Sequence, residues 1–362
     1  MAPAAGLASA PPIRMQHGDR RRTGREAARG PARLSLKWKT AGLGPIEAQP
    51  IPSPDESTIW VASLGGELVG LARADGAVKV RASLGGRSYA TPCVDARGNV
   101  YSASDAKKVF AFDASGHALW TLEVDDEADT ACALADDGTI VLAAGRTLYG
   151  IRPTGDVAWR FSARGKIFTA PAIDDAGRVY VGSQDDHVYA VDGGHAAFSV
   201  ALGADVDGSP AIADDGTVVV GTDGGDVVKL DHAGSVVWSA RVGGFVRGPL
   251  SIARGGDVLA GVYGPRSRLV RLDGKTGAEK ASFEVPGTGA LEFGVHGGPL
   301  EDAAGRLFFG AQDDRLYALD PVPGKTDFIL KTGGDVDAPP TLLSDGALVV
   351  ASDDGAVYYL EP

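Results

Sequence analysis

The chain has 362 residues and carries 35 Lys or Arg against 47 Asp or Glu, a net charge of −12. That balance excludes a general nucleic-acid binder, which needs a basic footprint, and 44% hydrophobic residues exclude global disorder. The 51 glycines follow no three-residue period, so they imply many tight turns and an all-β protein rather than collagen.

Residues 1–33 read as a basic lead-in. Residues 1–37 hold eight Arg or Lys and only Asp19 and Glu26 on the acidic side, which leaves −18 on the rest of the chain. Arg20, Arg21, Arg22 and Arg25 suit contact with an acidic partner or an anionic lipid surface. Two further readings are a lead-in lying against the acidic remainder and a poorly ordered tail. The opening MAPAAGLASAPPI lacks the basic and strongly apolar regions of a signal peptide. No apolar run reaches 18 residues, so no transmembrane helix is expected.

A strand follows at 34–40 (LSLKWKT), and then a repeat sets in. TAPAIDDAGRVYVGSQDDHVYAVD (169–192) aligns with GSPAIADDGTVVVGTDGGDVVKLD (208–231), and ATPCVDARGNVYSASDAKKVFAFD (90–113) with GGPLEDAAGRLFFGAQDDRLYALD (297–320). The anchors are Pro50, Pro92, Cys132, Pro171, Pro210, Pro249, Pro299 and Pro340, with steps of 42, 40, 39, 39, 39, 50 and 41 residues. Runs of four to six residues between Asp/Gly turns read as hairpin-linked strands. Four strands in about 40 residues is the pattern of a propeller blade. The last unit stops after its third strand, and the strand at 34–40 supplies the fourth. The expectation is therefore an eight-bladed β-propeller over 34–362, closed by its N-terminal strand.

In such a ring, the residue three before each anchor lies in the link between blades, at one mouth of the channel. These residues are Glu47, Tyr89, Asp129, Phe168, Asp207, Val246, His296 and Asp337. Converging carboxylates suit Ca²⁺ or a cationic ligand; equally, solvated acids keep a mouth soluble, and no metal ligand set is assigned. The link before Pro299 is about eight residues longer than the one before it, which makes Leu291, Glu292, Phe293 and His296 a candidate lid or contact loop. The doublets Asp136-Asp137, Asp174-Asp175 and Asp214-Asp215 read as turn residues. Trp38, Trp120, Trp159 and Trp238 recur once per unit, so they are assigned to packing between blades. The two GKT tripeptides lack the glycine of a phosphate loop, and Cys93 and Cys132 are too few for a disulfide-built scaffold or a zinc site of cysteine pairs.

AFDASGHALW (111–120) and RLDGKTGAEKASF (271–283), the second with Phe283 in the Trp place, resemble the Trp docking motif of the quinoprotein (PQQ-like) propeller repeat. MQHGDRRRTGR (15–25) before LKW (36–38) resembles that family's lead-in. The resemblance implies an extracytoplasmic protein and spans two kinds of function. One is a non-catalytic scaffold for a protein or peptide, similar in size to the propeller lipoproteins of outer-membrane assembly. Its expected contacts are Phe168, Arg247, Phe293 and His296, with no cofactor and a monomeric chain. The other is a dehydrogenase holding pyrroloquinoline quinone and Ca²⁺ in the funnel. The chain is short for that enzyme, with no adjacent cysteines and no Trp at the mouth. A third reading is a polysaccharide hydrolase or lyase using Asp207 and Asp337. The reading leans towards a protein that is not an enzyme.

Overall fold

A computed structural model describes residues 14–33, 35–290, 293–320 and 326–362. Eight four-stranded antiparallel sheets form the blades of a propeller. Each innermost strand starts within two residues of an anchor: Ile51–Pro52, Cys93–Val94, Ala133–Leu134, Ala172–Ile173, Gly208–Ile212, Ser251–Ile252, Leu300–Glu301 and Thr341–Leu342. The two middle strands of a blade are buried on both faces. The outermost strand alternates, as Val78–Ser83 does with Val80 and Ala82 turned inward, because successive side chains point to opposite faces.

Ring closure follows the sequence expectation. Ser35–Thr40 pairs antiparallel with Ala356–Glu361, placing Trp38 opposite Tyr359, so blade 8 takes three strands from the C-terminus and one from the N-terminus. Covering that edge pairs the backbone groups of Ala356–Glu361 that would otherwise stand open.

The acidic doublets act as turn formers. Asp174 Oδ1 accepts from Ala176 N at 2.9 Å and from Arg178 N at 2.9 Å, and Gly177 completes the turn at φ +86°. Three of the four tryptophans dock on the next blade. The indole N–H of Trp38 donates to Arg73 O at 2.8 Å, that of Trp120 to Pro153 O at 2.8 Å, and that of Trp238 to Gly274 O at 3.2 Å. Gly76 makes room for the first, since a Cβ there would come within 2.6 Å of the Trp38 ring. Trp159 is placed differently. Its ring covers Gly150 of its own blade, and the turn it faces in blade 4 is the two-residue Gly193-Gly194.

From Arg14 onward the lead-in lies against the acidic propeller; residues 1–13 fall outside the described residues. It runs across the far end of the channel and gives its backbone carbonyls to the inner strands. Val94 N donates to Arg14 O, Ile173 N to Arg20 O, Ile212 N to Arg21 O, Ile252 N to Thr23 O and Glu301 N to Gly24 O, all at 2.7–2.9 Å. Arg20, Arg21 and Arg25 meet Asp136, Asp175 and Asp214, which project from the first hairpins of successive blades. Arg22 is 1% exposed, and burial lowers its guanidinium to about 9. A basic segment that satisfies both backbone edges and turn carboxylates has more to gain from docking than from solvent. The two cysteines form a Cys93–Cys132 disulfide that joins blades 2 and 3, a pairing their sequence positions did not reveal.

Candidate functional site

At the opposite end from the lead-in, the links between blades surround a funnel of about 320 Å³. Its wall includes Glu47, Tyr89, Asp129, Phe168, Asp207, Arg247, His296 and Asp337. Eight blades of one register therefore bring residues from across 290 positions of chain to one mouth. Blade 6 departs from the three-before-anchor rule, because Val246 packs into the core at 1% exposure and Arg247 turns to the funnel instead. Phe293 is not part of the funnel wall. Its carbonyl accepts from Gly264 N at 2.9 Å and Ser267 Oγ at 2.8 Å, tying the long link down on blade 6. Leu291 and Glu292 fall outside the described residues.

Gln16, Thr130, Ser209 and Pro249 also border the funnel, and sequence reasoning did not find them. Gln16 belongs to the lead-in and reaches the funnel from below, where its amide donates to Thr91 Oγ1 at 3.3 Å and Arg22 donates to its oxygen. No repeat register marks it, so the sequence held no signal. The channel is thus floored by the lead-in, with His17 N on Gln49 Oε1 at 3.0 Å alongside. Burial holds the His17 imidazole well below its usual range, so it stays neutral there.

The electrostatics of the wall are unbalanced. Burial, helped by the neighbouring Asp105, pushes the Asp129 carboxyl up to about 8. Burial raises Asp207 to about 6, although Gln184 Nε2 donates to its Oδ2 at 3.2 Å. Glu47 rises through burial and the Asp337 carboxylate. Behind the rim, burial and Asp337 lift Asp335 to about 6 and Asp353 to about 7. Burial pulls His296 down, but the Asp337 and Glu47 carboxylates outweigh it and its pKa ends raised. Arg247 forks onto Asp223, at 3.0 Å from Oδ1 and 2.7 Å from Oδ2, and lies 4.4 Å over the Phe245 ring. The Phe168 ring is 41% exposed, with Lys166 Nζ 5.8 Å from its centroid. The site is therefore a carboxylate-rich bowl with an aromatic edge. Asp207 and Asp337 each sit in a separate carboxylate cluster, the first with Asp205 and Asp223, the second with Asp335 and Asp353.

The family described as outer membrane protein assembly factor BamB matches residues 20–136, 107–200 and 193–290. The chain belongs to that family. No curated protein sequence matches it. Among solved structures, it is similar to BamB from Moraxella catarrhalis, with a TM-score of 0.74 and 18% identity over 91% of this chain and 98% of that one. It is similar to the computationally designed Ika8 protein, with a TM-score of 0.75 and 16% identity over 90% of this chain and 99% of that one. The quinohemoprotein alcohol dehydrogenase ADHIIG from Pseudomonas putida HK5 gives a TM-score of 0.77 and 13% identity over 96% of this chain and 79% of that one. At these identities the likeness is one of fold, and function rests on the site itself.

The quinone of the dehydrogenases does not fit this funnel. Pyrroloquinoline quinone is a planar tricarboxylate. Glu47, Asp207 and Asp337 would oppose its charge, and Arg247 is already engaged by Asp223. The aromatic side chains of the funnel wall are Tyr89 and Phe168, with no indole to stack on a ring system of that size.

Proposed function

We propose that this protein is a non-catalytic interaction scaffold of the cell envelope, whose funnel mouth docks a protein or peptide partner. The observation that carries the reading is the convergence of Glu47, Asp129, Asp207 and Asp337 around a rim that exposes Phe168 beside a half-buried Tyr89. Carboxylates beside an exposed aromatic ring suit the Lys or Arg side chains of a partner, through charge and through cation–π contact. His296 at the same rim adds a donor for backbone carbonyls or acidic side chains. A rigid closed ring presents these groups with little ordering cost on binding. The description of the family as an outer membrane assembly factor supports a protein partner in the envelope. The Cys93–Cys132 disulfide supports an oxidising compartment, since such bonds persist outside the cytoplasm.

The test is a photo-crosslinking residue placed at Phe168 in the intact protein within cells, with Val236 on the outer strand of blade 5 as the control. The reading expects a discrete protein adduct from position 168 and none from 236. Calorimetric titration with pyrroloquinoline quinone and Ca²⁺ is the counter-test. Tight binding of the quinone over and above the heat of Ca²⁺ alone, abolished by Asp207→Ala or Asp337→Ala, would overturn the scaffold reading in favour of a quinone enzyme.

A further inference from the structure

Two carboxylate clusters occupy equivalent places in the ring. Asp205 and Asp207 come from the link into blade 5, and Asp223 from the second hairpin of that blade. Asp335 and Asp337 come from the link into blade 8, and Asp353 from its second hairpin. The spacing along the chain is the same in both, two residues and then sixteen. In each cluster one oxygen of every member lies within 4.8 Å of the others. Even the supporting amide repeats: Gln184 Nε2 donates to Asp207 Oδ2 at 3.2 Å, and Gln312 Nε2 to Asp337 Oδ2 at 3.3 Å.

The clusters differ in their cation. Arg247, two residues before the anchor Pro249 of the next blade, forks onto Asp223. The residue two before the anchor Pro50, which follows blade 8 around the ring, is the fully buried Ala48. The consequence is visible in the oxygens. In the first cluster, among the described residues, Asp207 Oδ1 is buried without a hydrogen-bond donor; in the second, both Asp337 Oδ1 and Asp353 Oδ1 are. Asp337 is only 8% exposed and faces the funnel. His296 Nδ1 stands 3.9 Å from Asp337 Oδ1, within ion-pair range when the ring is protonated but beyond hydrogen-bond reach, so it leaves that oxygen without a donor. Buried carboxylate oxygens without donors are costly unless a positive charge sits among them.

We propose that Asp335, Asp337 and Asp353 bind a divalent, oxygen-seeking cation of the Ca²⁺ type, which does for blade 8 what Arg247 does for blade 5. Ca²⁺ takes six to eight oxygens at about 2.3–2.6 Å in flexible geometry, and three carboxylate oxygens within 4.8 Å of one another are near enough to gather around one such ion. Mg²⁺ demands a near-ideal octahedron and gives up its waters reluctantly, so a loose cluster of three carboxylates suits it less. The remaining coordination falls to water from the funnel. This site does not depend on partner docking, and its test uses no partner.

The experiment is calorimetric titration of the full chain, freed of metal, with Ca²⁺ alone. Binding of about one ion per chain is expected, weakened at least tenfold by Asp353→Asn and unchanged by Asp223→Asn, with circular dichroism reporting the fold of each variant. Mg²⁺ is expected to bind at least tenfold more weakly than Ca²⁺. A converse variant keeps the proposal falsifiable if Asp353→Asn misfolds. Arg247→Gln removes the built-in cation from the first cluster, and the stoichiometry should rise from one to two. Absence of heat up to millimolar Ca²⁺, an Asp353→Asn titration identical to wild type, or a stoichiometry that stays at one in Arg247→Gln would each overturn the proposal.

Discussion

Trp38→Ala tests how the ring is held shut. Trp38 lies on the one strand that joins the N-terminus to the last blade, and it is 8% exposed. Its ring stacks on Tyr359 at 5.1 Å between centroids, and its N–H donates to Arg73 O of blade 1. Burying an indole of roughly 200 Å² at about 25 cal/mol per Å² contributes about 5 kcal/mol as an upper bound. The hydrogen bond adds about 1 kcal/mol net. Partial collapse of an outer strand, where Leu36 is 50% exposed, recovers some of this, and the net loss should be about 4 kcal/mol, within the usual range for such truncations. Because blade contacts are nearest-neighbour, the loss should be local. Four kcal/mol corresponds to a roughly thousandfold rise in the opening equilibrium of the closing strand. Native-state hydrogen exchange reads this directly: the amides that bond Ser35–Thr40 to Ala356–Glu361 should exchange about a thousandfold faster, while those of blades 3 and 4 hold their rates. Trp120→Ala, in blade 2, should leave 356–361 protected. A uniform rise in exchange across all blades, or a loss below about 1 kcal/mol, would refute the argument that this strand closes the ring.

Other expectations follow from single contacts. Reduction of Cys93–Cys132 releases a constraint of 39 residues in the unfolded chain, which the loop-entropy relation puts at about 4 kcal/mol; the denaturation midpoint should fall under reductant and be unmoved in the Cys93→Ala/Cys132→Ala double variant. Asp129 has a folded-state pKa of about 8 against an unfolded value near 3.8, so the folded chain retains a proton that the unfolded chain has released. Its contribution therefore favours folding below pH 4 and is lost as pH rises from 4 to 8. Asp129→Asn should match wild type in urea at pH 4 and exceed it at pH 8.5, and an equal offset at both pH values would contradict the burial of that carboxyl.

The chain pattern determined the blade count, the strand order and the closing strand, because hairpin turns and period-two burial are local properties that repeat every 40 residues or so. It also picked out seven of the residues around the funnel, since a fixed register puts the position three before each anchor at one mouth. Three matters were decided only in three dimensions. The swap of Val246 for Arg247 depends on a one-residue turn of the backbone, which reverses which side chain faces the core. The Cys93–Cys132 bond required two blades to pack side by side, with a Cα separation of 5.8 Å. The floor of the funnel came from Gln16, brought there because Arg20, Arg21 and Arg25 meet hairpin carboxylates from three different blades. Composition announced that a basic segment and an acidic ring belonged to one chain. Where they met was fixed by long-range electrostatics and backbone pairing, to which a local reading of residues has no access.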